Sequence, residues 1–301
     1  MKNEEMRESP RGRSMLNLYR QCPRRWAFKY IKGFTPLETS DPLTLGSAIH
    51  ETQALFYQGE HILKCYDFLS SFLKERKSLH LEKKALAMMT SWYNTLGISD
   101  REERIPLAVE VEAPVILPNN FEMSVRWDRV LLEKSDGEIF INDTKTTSGN
   151  PQKVIQTYNY SDQPKLYILS VIQSRPEWLK QFHGWRTDVI YGRELKAGKI
   201  NTDIQRSEIV MFSKPELDDV LKSYASLTDD IAFKLEAVAA GDNITTHFSA
   251  TSDFCYSYGR VCPYKPFCHE IDTIEEPPAN FKIDPWLKKG IIKEAFKSVE
   301  V

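Results

Sequence analysis

Asp143 and Lys145 stand two residues apart in "EIFINDTKTT", and Asp128 lies fifteen residues upstream in "SVRWDRVLL". Residues i and i+2 of a strand share a face, so the Asp143 carboxylate and the Lys145 ammonium emerge together. A neighbouring hairpin strand can bring Asp128 beside them. Two carboxylates are hard oxygen ligands for Mg²⁺ or Mn²⁺, which keep open positions for water and a phosphate oxygen. A lysine at the same strand end can orient that water or offset developing negative charge. Taken alone, a D-x-K tripeptide reads first as an exposed same-face ion pair contributing about 0–1 kcal/mol. His50, in "LGSAIHE", is by itself more commonly a packed or capping histidine than a ligand.

A second concentration of reactive groups is "CYSYGRVCPYKPFC", which carries Cys255, Cys262 and Cys268, three of the five cysteines. Thiols crowded this way point to metal ligation rather than packing. Cys65, in the amphipathic "HILKCYDFL", reads as a small buried hydrophobe.

These groups need elements to hold them. A helix from Ser14, with Ser14 as its N-cap, is interrupted at "CPRRW" by Pro23 and resumes through Tyr30. A loop enters a helix over about 45–57, whose small residues Gly46, Ser47 and Ala48 allow close approach to a sheet. Further helices are expected near 61–78 and 81–96. "LAVEVEAPVIL", "FEMSVRWDRVLLEK" and "EIFINDTKTT" alternate apolar and polar residues between turn formers and read as three antiparallel strands. A helix near 160–174, strands at "TDVIYGREL" and "RSEIVMF", and a helix over about 215–240 follow. The result is an α/β fold: a polar arm (1–13), a helical part (14–100), a core sheet and helix (101–214), a cysteine-rich module (215–272) and a tail (273–301) ending in a short helix.

The 301 residues carry a net charge of −2, which alone neither favours nor excludes a polyanionic partner. Between Arg7 and Lys32, however, eight Lys or Arg residues face one acid and are interleaved with Tyr19, Trp26, Phe28 and Tyr30. Cations neutralise phosphates and aromatic faces stack on bases, so Arg20, Arg24 and Arg25 are candidate nucleic-acid contacts; a solvated helix face over buried aromatics is the other reading. No apolar run is long enough to span a bilayer, the start has no signal-peptide core, and a cytoplasmic setting is expected. No phosphate-binding G-x-x-x-x-G-K-[ST] loop occurs, so unwinding would need a partner.

Four pieces in order, "GSAIHE" (46–51), "SVRWDRV" (124–130), "INDTKTT" (141–147) and "DQPKLYIL" (162–169), together resemble the RecB-type branch of the PD-(D/E)XK nuclease superfamily. The resemblance implies a restriction-endonuclease-like mixed sheet flanked by helices. It also implies a Mg²⁺- or Mn²⁺-dependent deoxyribonuclease, and an exonuclease in view of the helix histidine. His50, Asp128, Asp143 and the Thr144 carbonyl would bind the metal, Lys145 would be the catalytic lysine, and Gln163 and Tyr167 would support the site or touch DNA. Iron–sulfur members of the branch pair one N-terminal cysteine with three C-terminal ones, so Cys22 would join Cys255, Cys262 and Cys268 around a 4Fe–4S cluster. Spacing alone equally accepts tetrahedral zinc. Glu51 and Glu110 are further candidate acids, Glu51 the weaker because adjacent residues on a helix point about 100° apart. Arg126 is a departure: many relatives carry glycine two residues before the aspartate.

The expected partners are DNA ends, single- or double-stranded, and a helicase, recombinase or CRISPR adaptation protein. Two other classes fit the same residues. One is a non-catalytic DNA-binding scaffold, and the other a zinc-stapled interaction module, which leaves Asp128, Asp143 and Lys145 without a task.

Overall fold

A computed structural model describes residues 11–37, 40–257, 260–284 and 291–296. Most of the expected polar arm and parts of the expected tail lie outside the described residues. Helix α1 (Arg13–Gln21) ends at Cys22, whose extended backbone separates it from α2 (Pro23–Tyr30), with Pro23 at the first helical position, where its missing N–H costs nothing. The N-cap of α1 is Gly12, not Ser14. After β1 (Phe34–Pro36) come α3 (Asp41–Tyr57), α4 (Ile62–Glu75), α5 (Glu82–Trp92) and the short α6 (Ile98–Glu103).

The strands β2 (Arg104–Ile116), β3 (Glu122–Glu133) and β4 (Ile139–Thr147) then follow in hairpin succession. Helices α7 (Pro151–Asn159) and α8 (Asp162–Ser174) carry the chain over to β5 (Phe182–Glu194), which pairs parallel to β4, before β6 (Ile200–Arg206) returns antiparallel. The sheet order β2-β3-β4-β5-β6 makes a mixed five-stranded sheet flanked by helices, as the α/β reading requires. The long α9 (Lys214–Ala239), α10 (Ile244–His247), a small hairpin of β7 (Tyr256–Ser257) and β8 (Arg260–Val261), β9 (Phe281–Ile283) and α11 (Ile291–Phe296) complete the chain.

Three local expectations change. The strand expected at "RSEIVMF" is replaced by β6 over "INTDIQR", and only an isolated bridge joins Val210 to Trp185. α7 was not expected, although Asn150 caps it by accepting from the Gln152 and Lys153 N–H groups and Pro151 opens it. The aromatic residues Trp26, Phe28 and Tyr30, candidates for base stacking, are buried.

The chain divides into two compact units. One draws on the chain up to Glu38, on Val115–Ser124 and on the chain from Asp218 onward; the other comprises Thr39–Pro114 and Val125–Leu217. In the second, Leu131, Phe140 and Ile190 of the sheet join Ile49, Phe56, Leu69, Met88 and Trp92 of α3–α5 in one apolar core. On the opposite face Trp185 meets Tyr167 of α8, ring centroids 5.1 Å apart. Gly46 of α3 faces β4, where a Cβ would make ordinary van der Waals contact with the Thr146 hydroxyl at 3.5 Å, so the approach does not itself demand glycine. Gly184, by contrast, is required. Its φ of 126° is left-handed, and a Cβ would come within 2.3 Å of the Val210 carbonyl oxygen.

A buried ionic network stiffens the helical face of the sheet. Arg129 donates to Asp188 at 2.8 Å, and Arg206 clamps both Asp188 and Asp100 at 2.7–2.9 Å. Tyr57 of α3 donates to Asp100 at 2.5 Å. Burial pushes the Asp188 carboxyl up, but Arg206 and Arg129 hold it well below the usual carboxylate range. Removing one partner of such a set leaves buried charge uncompensated. Asp188→Ala is therefore expected to lower the unfolding free energy by about 3–5 kcal/mol in urea titrations; a loss below about 1 kcal/mol would contradict the network's role.

Candidate active site and cysteine centre

Alternation along β3 puts Val125, Trp127 and Arg129 inside and leaves Ser124, Arg126 and Asp128 on the other face. Asp128 thereby reaches three groups. His50 Nδ1 of α3 is 3.2 Å from Asp128 Oδ2, and the Thr144 N–H of β4 donates to the same oxygen at 2.8 Å. One donor atom each from His50, Glu110 and Asp128 lies within 4.8 Å of the other two, a set able to hold one metal ion.

Asp143 is placed differently from the expected ligand set. Its carboxylate is outside this triad and instead pairs with Lys145 Nζ at 2.7 Å, while the Gln163 amide donates to its other oxygen at 3.1 Å. Lys145 also lies 4.5 Å from the centre of the Tyr158 ring. The i, i+2 reading of Asp143 and Lys145 and the positioning of Gln163 on α8 thus meet in one place. Tyr167, one helical turn from Gln163, is buried against Trp185.

Glu110 was the underweighted residue. It stands mid-strand in β2 with φ at 51°, a left-handed conformation rare outside glycine. Such backbone excursions in strands re-aim a side chain and concentrate at functional sites. Here the result is a carboxylate turned toward His50 and Asp128 and paired with Arg126 at 3.1 Å. No motif marks it, because the deviation is in the backbone and not in the residue types.

The charges at the site are poorly balanced. Burial and the Asp128 charge push Glu110 up to about 7, and burial with Asp128 pushes Asp143 up to about 6, Lys145 opposing. Burial would raise Asp128 as well, but His50, Lys145 and the Thr144 N–H hold it well below the usual range. Burial pulls His50 down, yet Asp128 outweighs it and the imidazole is raised overall. Acids crowded to this degree fit a divalent cation, which would neutralise them together.

In the other unit, Cys22, Cys255, Cys262 and Cys268 line one pocket with Arg25, Phe28, Phe254, Tyr264 and Lys265. Burial raises the Cys262 and Cys268 thiols; Cys22 and Cys255 raise both further, and Cys262 also raises Cys268, while Arg25 and Arg24 respectively pull them down. This donor set suits a metal centre, which binds thiolates. Trp26 stacks on Phe248 and Phe28 on Tyr264, joining α2 to the C-terminal segment without any metal. Cys65, by contrast, is fully buried.

The expected nucleic-acid arginines are corrected accordingly. Arg24 is buried and donates to the Phe248, Thr245 and Cys268 carbonyls at 2.5–3.1 Å, so it is not available to DNA. Arg25 faces the cysteine pocket. Arg20 is exposed, donates to Ser223 at 2.5 Å and lies 4.2 Å from the Tyr224 ring centre. Within "YRQCPRRWAF", Arg24 seats the cysteine segment, Arg25 lines its pocket and Arg20 packs on α9.

Among the described residues no helix is long and apolar enough to cross a membrane. No curated protein shows significant similarity to the chain. The profile of the PD-(D/E)XK nuclease superfamily, however, matches residues 13–269, spanning both the acidic site and the cysteine centre. The matched stretch covers most of the chain, which therefore belongs to the PD-(D/E)XK nuclease superfamily.

Proposed function

We propose that this protein is a divalent-metal-dependent deoxyribonuclease of the RecB-type branch, acting from DNA ends. The observation that carries the reading is the His50–Glu110–Asp128 donor set lying beside the Asp143–Lys145 pair. His50, Asp128 and Glu110 would hold Mg²⁺ or Mn²⁺, with Asp143 joining once its charge is drawn from Lys145. In a strand a residue's N–H and C=O leave on the same side, so the Thr144 carbonyl faces the edge on which its N–H meets Asp128. When bound, the cation supplies an acidified water and charge stabilisation for an attacked phosphodiester. Lys145 is held above its ordinary pKa, because Asp143 and Asp128 outweigh the burial that would lower it. It therefore remains an ammonium and works as a charge and hydrogen-bond donor, not as a base. Gln163 orients Asp143, and Tyr167 backs the helix that carries Gln163.

The cysteine set is proposed as a structural 4Fe–4S centre. Four cysteines lining one pocket suit a 4Fe–4S cluster or tetrahedral zinc, and the family resemblance is what favours the cluster. Helicase, recombinase or CRISPR adaptation partners, and a cytoplasmic setting, are part of the same proposal and rest on the resemblance alone.

The test uses end-labelled linear DNA, single- and double-stranded, beside covalently closed circles, with Mg²⁺, Mn²⁺ or EDTA. Metal-dependent loss of linear substrate with circles spared is expected. Cleavage of circles would replace the end-directed reading with an endonuclease, and no cleavage under either metal would end the nuclease proposal.

Protons compete with metal for these oxygens. As pH falls from 8, Glu110 near 7 and then Asp143 near 6 take up protons that an arriving cation must displace. Mn²⁺ affinity is thus expected to fall with falling pH, by up to about tenfold per unit for each displaced proton. Paramagnetic resonance titrations at pH 8, 7 and 6 read this directly, and a constant affinity would refute it.

A further inference from the structure

Arg126 shares a strand face with Asp128 and is 51% exposed, yet its Nε sits 3.1 Å from Glu110 Oε2. Glu110 in turn offers an oxygen within 4.8 Å of donor atoms of His50 and Asp128. A guanidinium therefore stands at the rim of the acidic site, reaching in to one of its metal-binding carboxylates. We propose that Arg126 binds a backbone phosphate of the DNA strand adjacent to the scissile one, an inference that rests on the nuclease reading above.

The physical argument begins with the ion pair. Glu110 can neutralise Arg126 only while no divalent ion claims its charge. A divalent cation at the His50–Glu110–Asp128 set carries twice the charge and takes that carboxylate. Arg126 is then left half-exposed beside the bound ion, with its planar fork open to solvent. The anion that a substrate brings to this position is phosphate, spaced regularly along the strand on either side of the cut. Arginine matches phosphate oxygens with two parallel N–H donors, which a lysine or a glycine cannot do. The same residue explains the departure at this position: where glycine leaves an open strand edge, arginine adds a contact without burying a side chain. Of the other arginines expected to meet DNA, Arg24 is buried and Arg25 faces sulfur.

A role confined to holding Glu110 in its left-handed turn is the competing account, and the two differ in salt dependence. Binding of a cleavage-resistant phosphorothioate single strand would be measured from about 0.05 to 0.3 M salt in Mn²⁺, for wild type, Arg126→Gln and Arg126→Lys. Loss of one phosphate contact lowers the slope of log K against log salt by about 0.7 on single strands. Arg126→Gln should show that drop, with about threefold to tenfold weaker binding at ~0.1 M salt, and Arg126→Lys should restore most of the slope. Mn²⁺ affinity of Arg126→Gln should be equal or tighter, since a competing cation has gone. An unchanged slope, or weaker Mn²⁺ binding with the slope intact, would overturn the proposal and leave Arg126 a structural prop. If wild type neither binds the strand nor cuts its unmodified counterpart, the nuclease reading falls and this inference with it. An unchanged slope in a wild type that binds and cuts removes only the Arg126 contact.

Discussion

Lys145→Ala is expected to cut DNA about 10²–10³-fold more slowly than wild type, with no loss of Mn²⁺ affinity. Lys145 places an ammonium inside the site, 2.7 Å from Asp143. Asp143 and Asp128 keep it protonated across the working pH range. A preorganised donor aimed at developing phosphate charge acts where water is largely excluded, which is why its removal costs so much rate. The same lysine competes with a cation for Asp143, so its loss should leave metal binding equal or tighter. Asp143→Ala should lower both rate and metal affinity. Asp143→Ala retaining full metal affinity would confine that residue to holding the lysine. If Lys145→Ala cleaved within about threefold of wild type, the catalytic assignment would fail. Single-turnover kinetics with end-labelled DNA, beside paramagnetic resonance titration of Mn²⁺, separate these cases.

The second large effect is expected at the opposite end of the chemistry. Cys22→Ser should remove the cysteine centre, with loss of the absorption band near about 400 nm that iron–sulfur proteins show. The melting temperature should fall by about 10 °C or more, because ligand binding here is part of folding. Cys22 lies between α1 and α2, and its three companions lie more than two hundred residues on. Their pocket also gathers Arg25, Phe28 and Tyr264. Aromatic stacking between Phe28 and Tyr264 persists without the centre, so the unit should loosen rather than vanish. Cys65→Ala, which removes a fully buried thiol outside the centre, serves as control and should keep the absorption band. Colourless wild-type protein containing stoichiometric zinc would replace the iron–sulfur assignment, and a metal-free wild type would remove the centre altogether.

Legibility differed by element. Strand β3 was plain because its burial alternates from Glu122 to Arg129, and a period of two leaves little choice of face; β4, buried continuously from Ile139 to Thr144, was legible from the turn formers before it instead. Pro23 marked the break between α1 and α2, though the cap of α1 moved from Ser14 to Gly12 because the helix starts two residues earlier. α7 carried a readable signal in Asn150-Pro151 that is easily absorbed into the loop after "TKTT". β6 was misplaced because "INTDIQR" has no apolar alternation of its own. It is held as a strand by its antiparallel register with β5 and by Arg206 clamping Asp188. The aromatic residues of α2 were ambiguous for a different reason: stacking on bases and stacking on Phe248 or Tyr264 require the same residue types.

The residue types and their spacing along the chain brought out Asp128, Asp143, Lys145 and the three clustered cysteines, since each chemistry needs particular donors at short spacings, while Gln163 and Cys22 entered only through the family resemblance. Tertiary structure alone decided which acids share a metal-sized space. Glu110 enters through a left-handed backbone in mid-strand, and Asp143 turns to Lys145. Arg24 goes to backbone carbonyls instead of phosphate. Those choices depend on which charges lie within a few ångströms after burial, where Coulomb energies grow large, and no local pattern of residues encodes that distance.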